Sequence, residues 1–227
     1  MIVEFVGHWG AGKSTLLRGT KEVLEAREAP TRMHNARDDC RGKDGQALSG
    51  MGRWGYAMAA MTRRPTLATW WLYNARNKRQ TSKMVRYCRR IRYVDQLRFQ
   101  PGNIHLVDEG PMRALPGILG AATRRPELLI PNVPVPDLIV KVQASAEVTL
   151  MRLRERPNEK WVTATDREVL AMRGDYLRHL EQHVMHGRNA VEVDTTDEAD
   201  ASERVADLIM EQFQSLLNST VTEREAN

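Results

Sequence analysis

The sequence predicts an α/β fold in which a parallel sheet is covered by helices on both faces. Two observations predict it. Short apolar, β-branched runs alternate with longer helical patterns along the chain. The first run, Ile2–Val6, stops at Gly7 and gives way to a helix across a glycine-rich turn.

The elements follow in order. Lys13–Arg27 has a helical pattern, with Leu16, Leu17, Val23 and Leu24 on its apolar side. Arg32–Asn35 is a second, short strand. Asp38–Gly52 is polar, holds four glycines and reads as a loop. Helices are expected at 53–62, 66–79 and 82–98, with Pro65 dividing the first two. Ile104–Asp108 is the third strand; Gly110-Pro111 ends it and opens a helix toward Ala122. Residues 123–136 form a proline-rich connector. Asp137–Val142 is the fourth strand. Ser145 suits an N-cap for a helix through Arg154. Thr165-Asp-Arg-Glu168 fits a capping box opening a helix to about Met185. Val191–Asp194 is the fifth strand and Ala199–Leu217 an amphipathic helix. Residues 1–217 are expected to form one domain, and the polar residues 218–227 a flexible tail.

Composition bounds the function. With 227 residues, the chain fits one α/β domain carrying an insertion, and 41% hydrophobic content supports a sizeable core. No apolar run approaches the roughly 20 residues of a membrane span. No export signal opens the chain, so a cytoplasmic protein without a membrane partner is expected. Cys40 and Cys88 show no metal spacing and read as reduced structural thiols. The net charge of +5 is uneven: residues 63–98 hold eleven cations against Asp95 alone, a net of +10, leaving −5 elsewhere. Such a concentration points to an anionic partner.

The most specific motif is Gly7-His-Trp-Gly-Ala-Gly12-Lys13-Ser14, which matches G-x-x-x-x-G-K-[ST] in full. Glycines let the backbone curl so that successive N–H groups point at phosphate oxygens, and the following helix adds its N-terminal amides. Gly7, Gly10, Ala11, Gly12, Lys13, Ser14 and Thr15 are therefore assigned to a nucleoside triphosphate. Lys13 reaches the β/γ phosphates and Ser14 holds Mg²⁺. His8 and Trp9 read as loop side chains near the phosphates. Phosphoryl transfer also needs a carboxylate at the end of a neighbouring strand. Asp108 and Glu109 supply two; either could take a proton from an acceptor, and Asp108 could hold Mg²⁺ through water. Arg152-Leu-Arg154-Glu-Arg156 precedes a polar break, as in a flap (152–165) whose guanidinium groups, Arg152 and Arg156, close over a transferring phosphoryl.

With these pieces in place, the chain resembles the P-loop nucleoside and nucleotide kinases, thymidylate kinase in particular. The resemblance rests on Gly7–Thr15, the strand ending Asp108-Glu109, Pro136–Val142 with Glu147–Arg156, and Val191–Thr195. It implies a three-layer P-loop kinase fold with a five-stranded parallel sheet of order 2-3-1-4-5, and ATP with Mg²⁺. It also implies a lid at the arginine segment and a base-side loop at Asp194–Asp197, with Asp194 and Thr195 near the nucleotide. The chain departs from the family on the acceptor side. The acidic-arginine pair after strand three is Asp108-Glu109-Gly110 here, with the first arginine at Arg113, and the acidic residue and proline after strand two are missing.

The acceptor side falls to the helical 36–100 region. Arg79, Lys83, Arg86 and Arg90 share one helical face, opposite Val85, Cys88, Ile91 and Val94. Trp54, Tyr56, Trp70, Trp71 and Tyr73 lie just before, and aromatics beside cations suit a nucleobase and its phosphates. Arg41, Arg86, Arg90, Arg113, Trp54 and Trp70 are the candidate acceptor residues. Three functions stand open: a kinase for a nucleoside or nucleoside monophosphate; a kinase for a hydroxyl carried by DNA or RNA, such as a hydroxymethylated base bound through 63–98; and a non-catalytic nucleotide-binding module. The choice of ATP or GTP and a homodimeric state are likewise open.

Overall fold

Five strands form one parallel sheet. β1 (Ile2–Val6) lies at its centre, with β2 (Thr31–Asn35) and β3 (Ile104–Asp108) on one side and β4 (Leu138–Gln143) and β5 (Ala190–Asp194) on the other. The order β2-β3-β1-β4-β5 is the one expected, in a three-layer α/β fold. The computed structural model describes residues 1–39, 50–74, 78–119, 124–155, 164–196 and 200–225.

Because every pairing is parallel, all carboxyl ends reach one rim. Asn35 is in register with Asp108, Val6 with Lys141 and Gln143 with Asp194. That rim is where ligands of open α/β sheets bind. β1, flanked on both sides and covered on both faces, is buried throughout.

α1 (Lys13–Ala26) packs with the last helix against one face of the sheet. Leu16, Leu17, Leu24, Val205, Ile209 and Phe213 meet Phe5, Leu106 and Val140 there. The remaining helices are α2 (Ala36–Asp39), α3 (Gly50–Arg63), α4 (Pro65–Asn74), α5 (Lys78–Leu97), α6 (Pro111–Leu119), α7 (Ala146–Arg154) and α8 (Asp166–Leu180), of which α3, α4, α5, α6 and α8 supply the core on the other face. Leu67, Trp70, Cys88, Ile91, Leu115 and Leu180 fill that second core. Fully burying side chains of this size stabilises by about 1.5–3 kcal/mol each. Cys88 has its thiol pushed up to about 12 by burial, as an inert core thiol does; Cys40 lies outside the described residues.

Local signals set the boundaries. Pro65 cannot donate an amide hydrogen bond, so α3 and α4 break at Arg64. Ser145 Oγ accepts from the Val148 amide at 3.2 Å and starts α7. Thr165 and Glu168 form the capping box of α8, with Glu168 Oε2 accepting from the Thr165 amide at 2.8 Å. The helix expected to reach Met185 ends at Leu180 and passes into a wider π turn, Glu181–Met185. One expectation differs more. The loop expected from Asp38 is helical at Ala36–Asp39 and again from Gly50, while 40–49 lie outside the described residues. The last helix, α9 (Ala201–Glu225), runs on past residue 217 into the segment expected as a tail, where residues 218–225 contain neither glycine nor proline to stop it. Among the described residues, no helix is long and apolar enough to cross a membrane.

Candidate active site

The glycine loop closes tightly on its neighbours. A Cβ on Gly7 would lie 2.1 Å from the Val142 carbonyl oxygen, so β4 leaves no space for any other residue there. Lys13 opens α1, is 7% exposed, and donates from Nζ to the His8 carbonyl at 2.9 Å. Its ammonium is thus held against the loop that would cradle phosphates. The two loop side chains are packed, not presented. His8 is buried, with its ring 5.0 Å from Trp9 and 6.0 Å from Tyr176 of α8. Burial pushes its imidazole down to about 4, so the ring is neutral, and Nδ1–H donates to the Trp9 carbonyl at 2.6 Å.

The loop meets β3 at the rim. Ser14 Oγ donates to Asp108 Oδ2 at 3.0 Å, while Asp108 Oδ1 accepts from the Glu109 amide at 2.8 Å. One hydroxyl and one carboxylate oxygen therefore converge beside the loop. They are hard oxygen donors, the kind that suits Mg²⁺ when waters and phosphate oxygens complete its shell. Among the described residues, no group of three or more His, Cys, Asp or Glu gathers into a cation site.

Glu109 takes the left-handed conformation, φ +54°. It lies between two arginines: Arg113 Nε is 3.2 Å from Oε1 and Arg90 Nη2 is 3.9 Å from Oε2. Arg113, 8% exposed, also lies over the Trp9 ring at 5.4 Å and the Tyr176 ring at 6.0 Å. Arg113 thus reaches Glu109 from one helical turn further on, across an i,i+4 spacing.

Beneath this pair lies a residue that sequence reasoning missed. Glu4, in the centre of β1, is fully buried. Its Oε1 accepts from the Arg113 amide at 2.7 Å, and the Met112 amide also bonds it, so it caps α6 from below. Gly110 is required above it, since a Cβ there would lie 2.4 Å from the Glu4 carboxyl carbon. Burial pushes the carboxyl up to about 8, against the pull of those amides and of Arg90 and Arg113. A charged residue inside an otherwise apolar strand was the available signal.

The opposite wall joins the loop to β4 and β5. Arg152 donates from Nη1 to Thr195 Oγ1 at 3.1 Å and from Nη2 to the Thr195 carbonyl at 2.9 Å, with the Gly10 carbonyl 3.4 Å from Nη1. Thr195 Oγ1 in turn donates to the Ala11 carbonyl at 2.8 Å. Asp194 is held below the usual carboxylate range by hydrogen bonds from Thr196. Arg152, Asp194 and Thr195 therefore stand beside the glycine loop. Arg156 and Asp197, with 156–163 of the proposed flap, lie outside the described residues; Arg154 bonds the Ala164 carbonyl and Asp166 across that segment.

The acceptor candidates divide. Arg90 and Arg113 join the rim. Arg86 is exposed, and its Nε donates to the Ser82 carbonyl of its own helix at 3.2 Å. Trp70 is 1% exposed and belongs to the core, because α4 turns it inward; no face of it is open to a ligand. Arg41 and the side chains of Trp54, Tyr56 and Arg79 lie outside the described residues. Much of the basic segment is engaged within the chain: Arg64 pairs with Asp95 at 2.8 Å and bonds the Asn132 carbonyl, and Arg98 bonds the Val135 carbonyl. Arg89, which the helical spacing placed off the cationic face, is 4% exposed.

Sheet order, glycine loop and rim carboxylate together define the P-loop kinase fold. Among solved structures, the chain is similar to deoxyadenosine kinase from M. mycoides with bound dCTP, at a TM-score of 0.52 and 11% identity, covering 95% of this chain and 100% of that one. It is similar to the same enzyme with bound dATP at a TM-score of 0.50 and 12% identity, covering 94% and 100%. At these identities the likeness is one of fold. No protein-family model and no curated protein matches the sequence.

Proposed function

We propose that the protein is an ATP- and Mg²⁺-dependent kinase that transfers the γ-phosphate to a nucleotide-like acceptor, a nucleoside or a nucleoside monophosphate. The observation that carries this reading is the 3.0 Å hydrogen bond from Ser14 Oγ to Asp108 Oδ2. It brings a phosphate-loop hydroxyl and a strand-end carboxylate to one point, which phosphoryl transfer requires and simple nucleotide binding does not. Ser14 and Asp108 would hold Mg²⁺, whose charge offsets that of the β and γ oxygens when bound.

The residues divide the work. The loop amides and Lys13 hold the triphosphate, and Lys13 sits close enough to the loop to meet the γ-phosphate without a long excursion. Arg152 and Thr195 fix the loop against β5, and Asp194 and Thr195 flank the nucleotide on that side. Glu109, Arg90 and Arg113 face the acceptor. The chain through residue 217 acts as one domain.

The test is transfer of labelled γ-phosphate from ATP to a panel of nucleosides, nucleoside monophosphates and DNA carrying hydroxymethylated bases. The DNA arm answers the exposed cations Arg63, Lys83 and Arg86. One acceptor class is expected to be labelled, with loss on chelation of Mg²⁺ and in Lys13→Ala. ATP binding with no labelled product anywhere in the panel would overturn the reading and leave a nucleotide-binding module.

A further inference from the structure

We propose that Tyr176 is a positioning residue that ties Arg113 to the glycine loop, so that a nucleotide seated in the loop orders the first turn of α6 and readies the acceptor side. The inference rests on the phosphoryl-transfer reading above and adds to it an order of binding, donor before acceptor.

Both main-chain polar groups of Arg113 are gripped by side chains from other elements. Its amide donates to Glu4 Oε1 at 2.7 Å, and its carbonyl accepts from the Tyr176 hydroxyl at 3.2 Å. Both grips lead back to the loop. Glu4 stands on β1 three residues before Gly7, and the Gly7 amide bonds the Tyr176 hydroxyl oxygen. One hydroxyl on α8 therefore joins the first residue of the loop to the acceptor arginine. The side chains repeat the connection. The Tyr176 ring lies 6.0 Å from the His8 ring and 5.9 Å from the Trp9 ring. The Arg113 guanidinium lies 5.4 Å from the Trp9 centroid and 6.0 Å from that of Tyr176. Tyr176 is 5% exposed and Arg113 8%, so water competes little for these contacts.

α6 depends on such grips because it is weak in itself. It has nine residues, and Pro116 lies inside it. Proline has no amide, so the Met112 carbonyl loses its helical partner. Gly117 follows at once and lowers helix propensity further. An isolated helix this short is marginal in water even with favourable residues. The position of its first turn is therefore set from outside. That position carries Arg113, and with it the 3.2 Å contact to Glu109.

The consequence is a coupling of the two sides. Phosphates held by the loop amides and Lys13 fix the loop from Gly7 onward. A fixed Gly7 fixes the Tyr176 hydroxyl, which in turn holds the Arg113 carbonyl. A second ligand then meets a segment that the first has already ordered, which is cooperativity without a change of fold.

The experiment is amide hydrogen exchange of the full chain, with and without a non-hydrolysable ATP analogue and Mg²⁺, and with no acceptor added. Segment 111–119 is expected to exchange about fivefold or more slowly when the analogue is bound, beyond any change in α9. Tyr176→Phe keeps the ring against His8 and Trp9 and removes both hydrogen bonds. It is expected to bind the analogue but to lose the response of 111–119. A purely structural hydroxyl would give a different result: α6 would exchange faster in Tyr176→Phe with and without the analogue, and the ratio of the two rates would stay as in the parent. That result overturns the proposal. So does a bound analogue that leaves 111–119 unprotected in the parent, a measurement that decides the question even if the variant folds poorly. Failure of the analogue to bind overturns the kinase reading and the coupling with it, whereas binding without coupling leaves the kinase reading standing.

Discussion

The two halves of the rim are built by different means. On the proposed donor side, one stretch of nine residues, Gly7–Thr15, carries the glycines, the lysine and the hydroxyl, and the neighbouring walls only close around it. Val142 presses on Gly7, and Thr195 and Arg152 lie against Gly10 to Gly12. On the proposed acceptor side no such stretch exists among the described residues. Glu109 comes from the exit of β3, Arg113 from α6, Arg90 from α5, and Glu4 holds α6 from inside β1. A donor shared by many reactions can be met by one short loop whose geometry is fixed by backbone. An acceptor must be met by side chains gathered from several elements, and these can change one at a time.

If the halves differ in this way, the largest effect should come from the backbone of the donor loop. Gly7→Ala drives a Cβ to within 2.1 Å of the Val142 carbonyl, which β4 cannot move without breaking its pairing with β1. The variant is expected to lose ATP binding altogether and to unfold at lower temperature, by a few kcal/mol of stability. Fluorescent ATP titration with a thermal melt reads both. Unaltered ATP affinity would show that the loop is not the triphosphate site.

Next come the two rim carboxylates, which should separate. Asp108→Asn leaves the bond from Ser14 available but removes the charge, and turnover is expected to fall by about 10²–10³ with a steeper demand for Mg²⁺. Glu109→Gln leaves Mg²⁺ dependence as it is and acts on the acceptor's KM, because its contacts are Arg90 and Arg113. Steady-state kinetics at several Mg²⁺ concentrations distinguishes the two. Equal Mg²⁺ dependence in both variants would dissolve the division between donor and acceptor sides.

The same division explains what could be read from sequence. Strand, loop and helix at Gly7–Thr15, the Ser145 cap and the Thr165 capping box depend on neighbours in the chain, and each was legible. Strand order came only through family resemblance, since nothing local encodes which strands pair. The acceptor side depends on which way each helix faces. Helical spacing put Arg79, Lys83, Arg86 and Arg90 on one face but could not say that the face divides, Arg90 turning to the rim and Arg86 to solvent. Nor could it say that Arg89, outside that face, would be buried. Trp70 looked like a base-stacking platform because an aromatic near cations reads alike in a core and in a cleft. Glu109 and Arg113, four residues apart, were a pair visible in the spacing.

The smallest effect tests the base of the acceptor side. Glu4 has its carboxyl raised from 4.5 to about 8 by burial. Between those values the folded state holds a proton that the unfolded chain has released, so stability from this group is complete below about 4.5 and is lost as pH rises toward 8. The slope is at most roughly 1.4 kcal/mol per pH unit. Glu4→Gln keeps an oxygen to cap α6 and removes the titration. Its melting temperature should therefore gain on the parent's steadily from pH 5 to pH 8, and the variant should be the more stable protein at the upper end. Because the His8 ring is the same in both chains, its own titration cancels from the difference. Melts across that range decide it: a difference that does not change with pH would mean that Glu4 is charged throughout, held by the α6 amides and by Arg90 and Arg113 more strongly than burial opposes.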